Sequence, residues 1–408
     1  MKNKSEILDY ILVYLLVALS GIPFFYKSGL AFLIPTAFLS FIVFVYRRKQ
    51  FDGHSMFFFS AMFIVLVGQM IKFDFFPVNV YLGIFLRMSI AFFIIKSVGN
   101  RFIEIFINII VASAIISYFF YFPSYIPGVE NLLKSIASYF DTPFRDPYAL
   151  YVYWPNVIVY NINTGGAAPL LRNSGPFWEP GAFGGYLIIA LSFNIIINKT
   201  FLNKKGKYLL FAILTTFSTT AYVSLLALIL FSILVNAELI YKIVLVPLII
   251  AGSIFAFTSL DFLGEKIASK ANIQGNTYNT RFTSAVLDIN DTYENPWLGL
   301  GRSPITRYKG SIYPHANHRN NGTTGLLINY GVPFFILYLF FIFLGYKELC
   351  KQNGVGQFFA FYIVLLIVMI GFSEMYFNYP FFFGLALLYP VIKERAENEK
   401  ETPIIKTT

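Results

Sequence analysis

From residue 7 to residue 392, apolar runs about as long as a bilayer is thick follow one another with little between them. A hydrocarbon core about 30 Å thick takes about 20 apolar residues per helix. No ordinary soluble core absorbs that many such runs, so the chain reads as all-α and polytopic, with about 12 transmembrane helices. Candidate spans cover residues 7–25, 29–46, 55–71, 80–97, 102–122, 180–198, 207–218, 221–236, 242–259, 323–345, 355–372 and 377–392. Only 13% of the residues are charged, where soluble domains carry nearer a quarter. The formal charge of +10 sits in short clusters between the runs, as membrane topology requires, which argues against nucleic acid as a partner. The first run leads into Gly21-Ile22-Pro23 without a small-residue cleavage pattern, so it reads as a retained helix. The single cysteine, Cys350, excludes a disulfide framework and a thiolate metal cluster.

The stretch from Tyr208 to Val235 is long for one helix and short for two. A hairpin turning at Phe217-Ser218-Thr219-Thr220 puts every short basic connection on one side, as the positive-inside bias demands. The expected organisation is then five transmembrane helices (1–122), an outer loop (123–179), central helices (180–259), a second outer loop (260–322), and C-terminal helices with a tail (323–408). Both termini are expected in the cytoplasm.

Two long loops on one face point to function there. In the first, Leu132, Leu133, Ile136, Tyr139 and Phe140 share one face of a predicted helix. The segment 143–163 is rich in Tyr, Trp, Asn and Pro, which suits either sugar rings or interfacial anchoring. The second loop predicts a helix over 281–290, with Thr280 as N-cap and Phe282, Ala285, Val286 and Ile289 on one face. No inverted repeat of the transporter kind is visible.

Arg172 and Glu179 flank Gly175-Pro176, and Pro180 suits the first turn of the next helix. Glu179 either caps that helix and pairs with Arg172, or acts as a base beside an anion site bound by Arg172. Arg87 lies inside the fourth span. An arginine costs roughly 2.5–3.5 kcal/mol at the bilayer centre, so it either snorkels or faces a partner or cavity. Arg281, Arg302, Arg307, Lys309 and Arg319 make the second loop basic, which would suit a phosphate or diphosphate through bidentate hydrogen bonds. His315 and His318 precede a helix, and either can move a proton near neutral pH. They lack a third ligand at a suitable spacing, so no metal site is expected. G-x-S-x-G, Walker A and H-E-x-x-H patterns are absent.

Taken in order, Arg172-x-x-Gly175-x-Phe177-x-Glu179-Pro180, the hairpin Leu214 to Ala221, Arg281, Asn295-Pro296-Trp297-Leu298-Gly299-Leu300-Gly301 and Asn320-Asn321-Gly322-x-x-Gly325-Leu326-Leu327-x-x-Tyr330-Gly331 resemble the O-antigen polymerase and ligase superfamily of bacterial envelope glycosyltransferases. The resemblance covers residues 170–345. Glu-Pro after the first arginine is similar to Wzy-type polymerases, whereas ligases more often show Asn-Pro-Asn there. The hairpin departs from the family in having Ser218-Thr219 where Ser-Arg is common.

The resemblance implies glycosyl transfer from an undecaprenyl-diphosphate-linked chain to the terminal sugar of another lipid-linked repeat, at the periplasmic face of the bacterial inner membrane. It implies no cofactor and no metal, and it implies lipid-linked oligosaccharides, the bilayer and a chain-length regulator as partners. Arg172 and Arg281, with Arg87 and Arg302 as further candidates, would bind the diphosphate. Glu179 and His318 compete for the role of base. The alternatives are an O-antigen ligase acting on lipid A core, and a lipid-linked oligosaccharide flippase or other transporter.

Overall fold

The structure, a computed structural model, describes residues 2–27, 29–140, 155–162, 171–236, 238–259, 281–308 and 319–401. Among these residues all regular structure is helical, apart from one isolated bridge between Asn156 and Asn161. Helices Gly53–Phe73, Pro180–Asn198 and Gly322–Gln352, and the helical run Val78–Tyr125, are long and apolar enough to cross a membrane. Leu30–Tyr46, Thr219–Val235 and Phe358–Ser373 are shorter apolar helices. The stretch from Tyr208 to Val235 is divided between helices Lys204–Thr215 and Thr219–Asn236. Phe217, at φ 44°, makes the break.

The centre of the bundle is Pro180–Asn198, in which every residue from Ala182 to Ile196 is buried inside the protein. Helices Phe102–Tyr121, Lys204–Thr215, Thr219–Asn236 and Phe358–Ser373 pack around it. Its buried Gly184 and Gly185 let neighbouring helices approach closely, and its buried Ser192 and Asn194 suit a place among helices rather than against lipid. Its two ends differ. At the Asn198 end, Asn194 and Asn198 line a cavity with Gly99, Glu104, Lys205 and Ile392. Basic connections gather at this end through ion pairs, Arg47 to Asp9 at 2.6 Å, Arg101 to Asp9 at 3.2 Å and Lys96 to Glu394 at 2.5 Å. The Pro180 end lies about 28 Å away along the helix axis.

Two loop helices bury only part of the faces that the apolar spacing predicts. In Val129–Ala137 the buried residues are Leu133 and Ala137, packed with Tyr121, Tyr160 and Ile162, while Leu132, Ile136 and Tyr139 are exposed. In Arg281–Glu294 the buried residues are Ser284, Ala285, Asp288 and Thr292, and Phe282, Val286 and Ile289 are exposed. Here the polar face turns inward because Asp288 has partners there.

Asp288 Oδ1 accepts from Arg307 at 3.2 Å and Arg319 at 2.9 Å, and Oδ2 accepts from Thr324 at 2.8 Å. Arg319 also reaches Asp291 at 2.6 Å, and Arg307 reaches Asn329 at 2.8 Å. The network ties the loop helix to the start of Gly322–Gln352, which Asn321 caps by accepting from the Thr324 N–H. Arg307 and Arg319 are therefore structural, not a free phosphate-binding cluster.

Asn295 to Gly301 docks on the kink in that same helix. Leu300 N–H donates to the Ile328 carbonyl at 2.7 Å, and Val332 N–H donates to the Pro296 carbonyl at 2.7 Å. Gly331 stands between them at φ 78°, ψ 169°, a region that only glycine occupies freely. A Cβ there would lie 2.4 Å from the Trp297 carbonyl oxygen. Gly331→Ala is expected to cost at least about 1–3 kcal/mol from backbone strain alone. A lower melting temperature of the purified variant in detergent would show it; an unchanged one would contradict the docking.

Candidate functional site

The sequence Arg172 to Glu179 forms an irregular loop laid across the Pro180 end of the central helix. Asn173 holds it in place. Its side chain donates to Ser117 at 2.9 Å and Thr215 at 3.0 Å, and its Oδ1 accepts from the Gly175 N–H at 2.9 Å. The described part of the aromatic, amide-rich segment braces the same loop from the other side, with Asn161 donating to the Trp178 carbonyl at 3.0 Å. Asn156 likewise donates to the Pro176 carbonyl at 3.4 Å, and the remainder of 143–163 lies outside the described residues.

Pro180 occupies the first helical turn, where its missing N–H leaves no bond unmade. Glu179 stands at the N-cap position with extended backbone, yet its side chain makes no capping hydrogen bond. It accepts instead from Arg281 Nη2 at 3.3 Å. The same guanidinium nitrogen donates to Glu374 at 2.8 Å. One arginine, the first residue of the loop helix, thus bridges two carboxylates from segments far apart in the chain.

Glu374 ends helix Phe358–Ser373 and is buried. Trp178 Nε1 donates to its second oxygen at 3.2 Å. Tyr376, two residues on, donates to the carbonyls of Gly181 and Ala182 at 3.0 Å each, pinning this segment to the central helix. Gly181 leaves room for the carboxylate, since a Cβ there would lie 2.7 Å from Glu374 Oε1. Burial, and then the neighbouring Glu179, push the Glu374 carboxyl well above the usual range, with Arg281 and Trp178 opposing.

Arg172, Glu179, Arg281 and Glu374 line one cavity of about 180 Å³, together with Gly181, Phe217, Ser218 and Thr219. The hairpin turn therefore forms part of the wall. Arg172 Nε donates to the Thr216 carbonyl at 3.3 Å, which fixes the guanidinium against the turn. Burial lowers the Arg172 pKa from its ordinary value, while Glu179 and Glu374 act in the opposite sense. Two cations, two carboxylates and a helix N-terminus converge here, so the cavity offers donors to an anion and an acceptor to a proton.

Arg87 and Arg302 are not part of this lining. Arg87 donates to the Gly83 carbonyl of its own helix at 3.0 Å and lies within electrostatic reach of Arg302. Arg302 lines a small cleft with Gln69, Tyr81 and Ser303. His315, His318, Lys309 and Thr280 lie outside the described residues. Among the described residues no cluster of three potential metal ligands occurs. Sequence reasoning missed Glu374. The available signal was a lone carboxylate directly after an apolar helix, a costly place for an unpartnered charge. Compared with known proteins, the chain matches no family model and no curated protein.

Proposed function

We propose that the protein is a polysaccharide polymerase of the O-antigen type, transferring the growing chain from undecaprenyl diphosphate to the terminal sugar of a lipid-linked repeat. The observation that carries this reading is the convergence of Arg172, Glu179 and Arg281, from two separated segments, on one cavity at the N-terminus of the central helix. The resemblance picks out the same three residues.

The acceptor hydroxyl attacks the anomeric carbon, the carbon–oxygen bond to the diphosphate breaks, and the electron pair leaves with the diphosphate. Arg172 and Arg281 would answer the charge that develops on it, as preorganised donors do. Glu179, 39% exposed towards the cavity, would accept the hydroxyl proton. The site then faces the periplasm of a bacterial inner membrane. The basic connections joined at the opposite end of the central helix support this orientation and cytoplasmic termini. Arg87 and Arg302, outside the cavity, would contact lipid-linked substrate only beyond its reacting end.

Arg172→Ala is expected to reduce transfer roughly 10²–10³-fold, the usual loss on removing one donor to a developing oxyanion. The measurement is chain length made by the purified protein in vesicles supplied with polyprenyl-diphosphate-linked oligosaccharide. Products of wild-type length from Arg172→Ala would remove Arg172 from the site. In cells, loss of the gene should leave lipid A core carrying a single repeat. Core with no repeat would indicate a ligase or a flippase.

A further inference from the structure

In the resting site, Arg281 is already taken. Its Nη2 bonds both Glu179 and Glu374, so a guanidinium proposed to hold diphosphate is held by two carboxyl groups of the protein. One guanidinium nitrogen bridging two full negative charges, one of them buried, is unfavourable, because like charges this close do not readily both ionise. Every other neighbour of Glu374 has a defined part. Trp178 donates to Oε2, the Tyr376 hydroxyl is spent on the Gly181 and Ala182 carbonyls, and Arg172 acts on Glu374 only through its charge, being bonded to Thr216. Tyr26 and Tyr379 complete the surroundings, within electrostatic reach of Glu374.

We infer that Glu179 and Glu374 hold a single proton between them at rest, carried by Glu374, and that Glu179, on accepting the substrate's proton, releases Arg281 to the departing diphosphate. This inference rests on the polymerase reading. Glu374 takes the proton because it is the buried member, with 6% of its side chain exposed against 39% for Glu179. A protonated carboxyl oxygen keeps a lone pair, so Glu374 can accept from Arg281 and Trp178 while its hydrogen bonds Glu179. The raised position of Glu374 follows from the same burial and the same neighbour.

The charges balance at each step. Before reaction, ionised Glu179 offsets Arg281. The acceptor O–H proton then moves to Glu179 as the new glycosidic bond forms, and the diphosphate leaves with one more negative charge than it had in ester form. Both carboxyls are now neutral, and the Arg281 charge turns to the diphosphate. Base catalysis and leaving-group stabilisation become one event. Glu179 later returns its proton to water through the exposed mouth.

The test uses Glu374→Gln and Glu374→Ala in the full chain, reconstituted in vesicles. Glutamine stays neutral and can still donate to Glu179, with the loss of one acceptor, so it should lower transfer less than alanine does. Wild-type activity should fall as pH rises far enough to ionise Glu374, whose carboxyl sits above the usual range, because a second carboxylate then forms and locks Arg281. Glu374→Gln has no such second ionisation and should lose that alkaline limb. An infrared carbonyl band of a protonated carboxylic acid, present at neutral pH in the wild type and absent from Glu374→Gln, reports the proton without reference to activity. An unchanged band in Glu374→Gln, or an alkaline limb like that of the wild type, would overturn the inference. If the wild type makes no polymer, the polymerase reading fails while the infrared band still decides where the proton is.

Discussion

Glu179→Gln is expected to lower transfer by roughly 10²–10⁴-fold, the range over which a positioned general base acts, with little change in the amount of folded protein. Two features separate these effects. Glu179 makes no capping bond to the central helix, so its amide deprives no helix N–H of a partner. With no diphosphate present to draw it away, Arg281 keeps its 2.8 Å bond to Glu374. The substitution keeps the shape of the side chain and removes its basicity. A variant with wild-type chain length and rate would reduce Glu179 to a negative charge placed favourably at a helix N-terminus.

Asp288→Ala should act on the fold instead. It leaves the guanidinium groups of Arg307 and Arg319 buried beside a missing partner, and Thr324 without its acceptor. Breaking a buried ion pair from one side typically costs about 3–5 kcal/mol, a large part of the stability of most proteins. Helix Arg281–Glu294 carries Arg281 at its first residue, so its loosening should also disperse the site. Thermal unfolding in detergent, followed by intrinsic fluorescence, should show a melting temperature well below that of the wild type. An unchanged melting temperature would mean that water replaces Asp288 at no cost, and that the network does not hold the loop.

The helices were legible because a bilayer-length apolar run leaves the backbone few alternatives. The break at Phe217 was legible because the distribution of lysine and arginine required it. The faces of the two loop helices were not. Spacing locates an apolar stripe but does not say what lies opposite it, and in Arg281–Glu294 the stripe of Phe282, Val286 and Ile289 is exposed while Asp288 goes inward.

The same blindness affected the arginines of the second loop. Arg307 and Arg319 meet Asp288 across separations of 19 and 31 residues, which no local pattern reveals. Their basic clustering therefore looked like an anion site when it is a structural knot. Arg172, Glu179 and Arg281, which line one cavity, were singled out by their charge and by the motifs of the resemblance. Glu374 has no such motif. Only packing of the 374–379 segment onto Gly181 and Trp178 brings it into the cavity.

Whether the protein joins lipid-linked repeats is decided most directly by supplying the purified protein in vesicles with a single polyprenyl-diphosphate-linked repeat unit and resolving the products by length. The expected products are a ladder of lipid-linked oligomers from the wild type, with free polyprenyl diphosphate released at each addition, and a sharp loss of both from Arg281→Ala. A repeat that stays monomeric with folded wild-type protein, or a ladder that Arg281→Ala produces at the wild-type rate, would contradict this expectation.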